Sequence, residues 1–366
     1  MKINFFGDVC FNGRFKNSPE NKDIKFGREI AKLIDAANFN LVNFEGAETQ
    51  SDNYLRANVR VVNPNGSLAY LDELGFNSVS LSNNHIFDCG VEGYFETIEK
   101  LSQYKIPYVG AMGGSEKSYC ILESENKSVA ILGFTHIEGL MYKEGEQIGN
   151  SFYKDYTLIK SAINEVKKIA DYVIIMLHGG EEFSFIPPPF RKRICRKIAR
   201  MGPDAIVCHH SHTPNTHENY KGVPIFYSLG NFIFDLPQYS NLELVNVGLV
   251  LTLDFKDDGV KYSYSSIVAD FTTYNIEVDN SYKRNLDVLS RSTYIKSWLK
   301  DCYRVTHQKK KSKNRKSNAE AGCKVAEAGK FKLNRKLTSA WKLLNNENRR
   351  SIEMASFIYS IYKRLF

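Results

Sequence analysis

Asp204-Ala205-Ile206-Val207-Cys208-His209-His210-Ser211-His212 is a short apolar run followed at once by three histidines. The chain has eight histidines, so three within four positions is a concentration that composition does not produce by itself. The apolar run reads as a buried strand, and the end of a strand is where an α/β sheet presents its chemistry. Neutral imidazole is the commonest metal ligand. In an extended segment, side chains two apart point the same way, so His210 and His212 are expected to converge, with His209 as the alternative to His210.

Outward from this stretch, apolar runs end in polar residues again and again. Ile3–Phe6 runs into Gly7-Asp8, and Phe39–Phe44 into Glu45. Asn77–Leu81 leads to Ser82-Asn83-Asn84-His85. Asp171–Leu177, the strongest strand signal, ends in His178-Gly179-Gly180-Glu181-Glu182. Between the runs lie helical spacings at Lys25–Ala37, Ser67–Leu74, Val91–Tyr104, Tyr156–Ala170 and Phe190–Met201. Strand, polar loop and helix alternate, which defines an α/β class with its loops gathered at strand C-termini. Val223–Phe234 reads as one further apolar run. Val245–Phe255 and Lys261–Phe271 flank Asp257-Asp258-Gly259 and read as a β-hairpin, expected to start a second, more antiparallel sheet.

The net charge of +8 hides an asymmetry. From Lys283 to Phe366 there are 22 basic and 6 acidic residues, or +16; the rest holds 27 against 35, or −8. The expected division is a domain over 1–280 and a basic helical tail over 281–366, with a solvated linker at about 305–330. Arg349–Phe366 has the pattern of a basic amphipathic helix, suited to weak contact with an anionic membrane surface. The Lys309–Lys316 run predicts no specific nucleic-acid binding. Seven scattered cysteines without a C-x-x-C pair read as thiols in a reducing compartment. No signal peptide or spanning segment is read, so a cytoplasmic protein is expected, peripheral to the inner membrane face if the tail binds lipid. No glycine-rich nucleotide loop is present in the sequence.

The strand-end set is Asp8, Glu45, Asn84, His85, His178, His209, His210 and His212. Mixed oxygen and nitrogen donors suit Mn, Fe, Zn or Mg better than a structural zinc, which favours thiolates. Two divalent ions need about this many ligands, and such pairs serve phosphate-ester hydrolysis. His136, His217 and His307 read as plain polar positions, and Glu181 and Asp88 as solvated.

The motifs GDVCF (7–11), NFEGAET (43–49), GFNSVSLSNNHIFDCG (75–90), HGGEEF (178–183), GPDAIVCHHSHTPN (202–215) and YSLGNFIFD (227–235) resemble the CapA family of capsule (poly-γ-glutamate) synthesis proteins. That family is a branch of the calcineurin-like metallophosphoesterases. The resemblance spans about residues 1–270. It implies a four-layer α/β/β/α sandwich and a phosphoesterase-type site with two divalent ions. It implies metal ligation by Asp8, Glu45 (bridging), Asn84, His178, His210 and His212. It implies catalytic roles for His85, near the leaving group, and Glu182, and substrate binding by Asn231. Asp8-Val9-Cys10 departs from the superfamily's Asp-x-His, so one imidazole is missing there. The implied partners are an anionic polymer or phosphoester substrate and capsule-synthesis proteins. A non-catalytic polymer-handling component and a γ-glutamyl amide-bond enzyme are the alternative functions.

Overall fold

The structure, a computed structural model, describes residues 1–51, 61–110, 112–113, 119–124, 126–135, 140–143, 146–149, 155–235, 239, 242–281 and 291–317. In chain order the elements that build the site are β1 (Lys2–Val9), α1 (Arg28–Asp35), β2 (Phe39–Phe44), α2 (Ser67–Glu73), β3 (Ser78–Ser80), α3 (Gly90–Tyr104) and β4 (Tyr108–Val109). Then come β5 (Tyr119–Ser124), β6 (Lys127–Thr135), α4 (Tyr156–Val166), β7 (Tyr172–His178), α5 (Pro189–Ala199), β8 (Ala205–His209), β9 (His217–Tyr220) and β10 (Val223–Phe226). The last are β11 (Asn231–Ile233), β12 (Val247–Lys256), β13 (Gly259–Ala269), β14 (Asn275–Val278) and α6 (Arg291–Ser317).

Two sheets form. One runs β14-β13-β12-β1-β2-β3-β4, with β11 pairing β1 beyond the end of β12 and a short strand at Lys25–Phe26 on the far edge. The other runs β9-β10-β8-β7-β6-β5. The central strands of both are parallel. Strands covered on both faces read as continuous apolar runs, and β7 shows why. Ile174 and Met176 face the other sheet, meeting Phe5, Leu41 and Leu251. Val173, Ile175 and Leu177 face α4 and α5 through Ile159, Ile163, Ile194 and Ile198. On the first sheet, Val42 and Val79 turn outward to Ile30, Leu68, Leu71, Tyr94 and Leu101 of α1–α3. The layers are therefore α/β/β/α.

Helix ends follow local chemistry. After α2, Gly75 takes φ +90°, Phe76 N–H reaches Leu71 O at 2.9 Å and Gly75 N–H reaches Asp72 O at 2.9 Å. This is the Schellman closure expected of glycine past a helix end.

Four expectations need correction. The hairpin β12–β13 starts no second sheet; β12 pairs antiparallel with β1 and extends the first one. The Val223–Phe234 run is two strands in different sheets, β10 and β11, hinged at Gly230 with φ +71°. Helix α1 begins at Arg28, because Lys25–Phe26 pairs with β14. Residues 305–317, expected to be linker, are helical, and α6 is docked: Tyr294, Trp298 and Cys302 are buried against the second sheet's helices. The division at 280 stands as a proposal, while Arg349–Phe366 and the rest of the linker lie outside the described residues. No helix among the described residues is long and apolar enough to cross a membrane.

Candidate metal centre

The C-terminal ends of the parallel strands in both sheets open on one edge. Register fixes who meets whom: Asp8 pairs with Asn43 and Asn231, and His178 with His209. Asp8 is the last residue but one of β1, Glu45 follows β2, Asn84 and His85 lie on the loop after β3, His178 ends β7, and His210 and His212 follow β8.

Glu45 is the centre of the arrangement. It is fully buried, and neither carboxylate oxygen has a hydrogen-bond partner among the described residues. Its Oε1 lies 3.8 Å from His85 Nε2, 3.8 Å from His178 Nε2 and 3.9 Å from His212 Nε2. A buried carboxylate without donors is costly unless a cation neutralises it. Asp8, Glu45 and His212 bring ligand atoms within 4.8 Å of one another. On the other side, His178 Nε2 is 2.8 Å from Asn84 Oδ1 and 3.2 Å from His210 Nδ1. The donor set and the orphaned carboxylate fit divalent cations.

The electrostatics agree. Burial raises the Glu45 carboxyl, with Asp8 and Asp88 adding and His212 and His85 opposing, to about 7. Burial works against charging His212, but Glu45 and Asp8 beside it push the ring up to about 9. Burial also opposes ionisation of Asp8, but its bond to His212 and the nearby His209 and His212 hold it below the usual range.

The sequence-predicted residues do not all converge. His209 turns away, its Nε2 on Phe6 O at 3.0 Å, while His210 joins the cluster. The convergence of His210 and His212 is not that of an extended segment. Both take left-handed φ, +98° and +54°, so the chain coils there and presents both rings. Asn231 turns its amide onto the cluster: Oδ1 lies 3.0 Å from His212 Nδ1, and Nδ2 donates to Val245 O at 2.9 Å. It fixes the His212 ring with Nε2 toward Glu45. It also lines a small cavity with His212, Phe183, Phe234 and Tyr239. Glu182 is half-buried and bears on the site through its charge on His212. Cys10, where a superfamily imidazole would stand, points its Sγ at Val62 O, 3.7 Å away, and burial holds it as a thiol.

Two partners were not legible. Asn43 is buried, and its Nδ2 donates to Asp8 Oδ1 at 2.8 Å and sits 3.2 Å from His178 Nδ1. Its spacing, two before Glu45 on a strand, is the only signal. Asp88, read as solvated, is buried, with Oδ2 2.7 Å from His85 Nδ1. The i,i+3 spacing was its signal. His217, read as a plain polar position, is buried and stacked on Phe226. His136 lies outside the described residues.

The described residues thus form a four-layer α/β/β/α sandwich with carboxylates, an amide and imidazoles collected at its strand ends. The chain belongs to the bacterial capsule synthesis protein PGA_cap family, whose model matches residues 2–236. It is similar to the PGA biosynthesis protein CapA of Bacillus subtilis (strain 168), 28% identical over 64% of this chain and 63% of the relative. It is also similar to the capsule biosynthesis protein CapA of Bacillus anthracis, 32% identical over 57% of this chain and 53% of the relative. The match thus spans between half and two thirds of these relatives' lengths. A solved structure of a novel phosphatase from Mycoplasma pneumoniae aligns over 75% of this chain and 95% of its own, with TM-score 0.47 and 14% identity.

Proposed function

We propose that this chain is a metal-dependent hydrolase of the phosphoesterase type that serves the synthesis of an anionic capsule or other cell-surface polymer. The observation that supports the chemistry most is Glu45: a buried carboxylate without a donor, ringed by three Nε2 atoms at 3.8–3.9 Å. Asp8, Glu45 and His212 would hold one divalent ion; Glu45, Asn84, His178 and His210 would hold a second. Such ions, when bound, supply positive charge to phosphoryl oxygens and lower the pKa of water.

The chain's own groups do the rest. The His85 side chain is 12% exposed, against 1% for His178 and 5% for His212, so His85 is the ring nearest the opening. Its Nε2 faces Glu45 and the site, and Nδ1 is held by Asp88. This geometry supports a role for Nε2 in handing a proton to a leaving oxygen. Asn43 and Asn231 hold Asp8 and His212 in place. Glu182 is proposed to act at the rim. The names of the relatives, which concern capsule and PGA biosynthesis, support an anionic polymer or its phosphoester as substrate and capsule-synthesis proteins as partners.

The test is an assay of protein reconstituted with Mn²⁺ or Zn²⁺ against bis-p-nitrophenyl phosphate and a poly-γ-glutamyl peptide. Metal-dependent cleavage of the phosphodiester, lost in His212→Ala, is expected. Metal binding without any turnover would leave a polymer-gripping site; cleavage of the peptide alone would make the chain an amide-bond enzyme.

A further inference from the structure

The histidine turn is strained and must be held by its surroundings. His210 and His212 both have left-handed φ, as does Phe183 on the neighbouring loop, at +63°. Non-glycine residues persist in that region when neighbouring structure over-determines them. Here the neighbour is the loop 183–186. Phe183 N–H donates to Ser211 O at 2.6 Å, between the two histidines. Thr213 Oγ1 and Asn215 Nδ2 both donate to Ser184 O at 3.1 Å.

The loop in turn is held by α6. Asp301 is buried, and its Oδ2 accepts from Phe185 N–H at 2.7 Å, Ser184 Oγ at 2.8 Å and Ile186 N–H at 3.1 Å. Arg304 binds Asp301 Oδ1 through Nε at 3.0 Å and Nη2 at 2.7 Å. Its Nη2 also donates to Phe183 O at 2.6 Å, and its guanidinium lies over the Phe185 ring at 3.5 Å. Tyr294 OH closes the seam on Pro187 O at 2.7 Å. A carboxylate taking three donors, itself clamped by a guanidinium, is a rigid anchor.

We propose that Asp301 is a positioning residue for the metal centre: through the 183–186 loop, α6 sets the turn that presents His210 and His212. Helix α6 lies beyond the span 2–236 matched by the family model, so this support is contributed by the chain's C-terminal part. The proposal rests on the metal-site reading above.

The full chain is compared with Asp301→Asn, Arg304→Gln and, as a control, Asn40→Ala. Asn40 is buried at the opposite end of β2, where Nδ2 donates to Ile34 O and Gly75 O. Mn²⁺ and Zn²⁺ affinities are measured by equilibrium dialysis, alongside Tm. Asp301→Asn should weaken metal binding by about tenfold, the low end of the range for partners bonded to a ligand, because it acts through the 183–186 loop. Arg304→Gln should show a smaller loss, and Asn40→Ala should lower Tm with metal affinity unchanged. If Asp301→Asn does not fold, Arg304→Gln decides. Variants that lose Tm but keep the parent's affinity overturn the proposal and leave the metal site standing. A parent that binds no metal overturns the site itself.

Discussion

His85 Nδ1 lies 2.7 Å from Asp88 Oδ2, and on the other side of the ring Nε2 lies 3.8 Å from Glu45 Oε1. One imidazole thus spans from a buried carboxylate to the centre of the site. If Nε2 protonates the leaving oxygen, Asp88→Asn should matter most when that oxygen needs a proton. We expect kcat on an alkyl phosphodiester to fall about 10- to 100-fold, and on a nitrophenyl ester to change little. A steady-state comparison across leaving groups checks this. An equal loss on both substrates would place Asp88 in the scaffold instead.

Metal affinity should depend on pH with a definite sign. In the metal-free protein Glu45 keeps its proton up to about 7, and His212 keeps its own up to about 9. A ligand must lose its proton before it binds a cation. Affinity therefore rises with pH, by about tenfold per unit for each competing proton, and levels off above the higher value. Calorimetry in buffers of different ionisation enthalpy should show protons released on Mn²⁺ binding at pH 6.5. Binding that is flat from pH 6 to 9 would mean these two groups are not ligands.

The α/β class was legible because each central strand is apolar on both faces. Ile174 and Met176 serve one layer, Val173 and Ile175 the next, so the run is continuous and unmistakable. The sheet to which a strand belongs was not legible. Leu249 and Leu251 fit any apolar face, and only pairing with β1 decides. Among the site residues, those at strand ends announced themselves by position. Asn43 and Asp88 did not, because each shows its role only through the partner it meets in the fold, Asp8 and His85. The choice between His209 and His210 did not either, because it depends on a turn whose left-handed φ values no side-chain pattern encodes. The helical character of the tail was read, but the docking of α6 was masked by its lysines and arginines. Its buried Tyr294, Trp298, Cys302 and Val305 are spaced 3–4 apart, but the surrounding charge reads as solvation.

Docking of α6 has an energetic consequence. Trp298 is 3% exposed and packs in the cluster around Ile194 and Ile198. Trp298→Ala should cost about 3–5 kcal/mol, as buried aromatic deletions do. A freely solvated tail would lose about 0.5 kcal/mol or less. Urea unfolding of the two proteins separates these outcomes, with the shift read in the midpoint at constant m.

The roles of Asn231 and His85 can be told apart in the same way as ligand and acid. Asn231 touches His212 Nδ1 and Val245 O, so its work is to keep the His212 Nε2 lone pair aimed at the site. Asn231→Ala leaves Nδ1 with Asp8 Oδ2 at 3.3 Å and frees the ring to rotate. We expect metal affinity to fall about 10- to 100-fold, with activity restored in part by excess Mn²⁺. A substrate-binding Asn231 would behave otherwise: metal affinity would hold, and KM would rise at constant kcat. His85→Ala should keep the bound metal and lose about two to four decades of kcat. Measuring metal content and both kinetic constants on the two variants assigns each residue. Loss of metal in His85→Ala would make His85 a ligand and move the proton donor elsewhere.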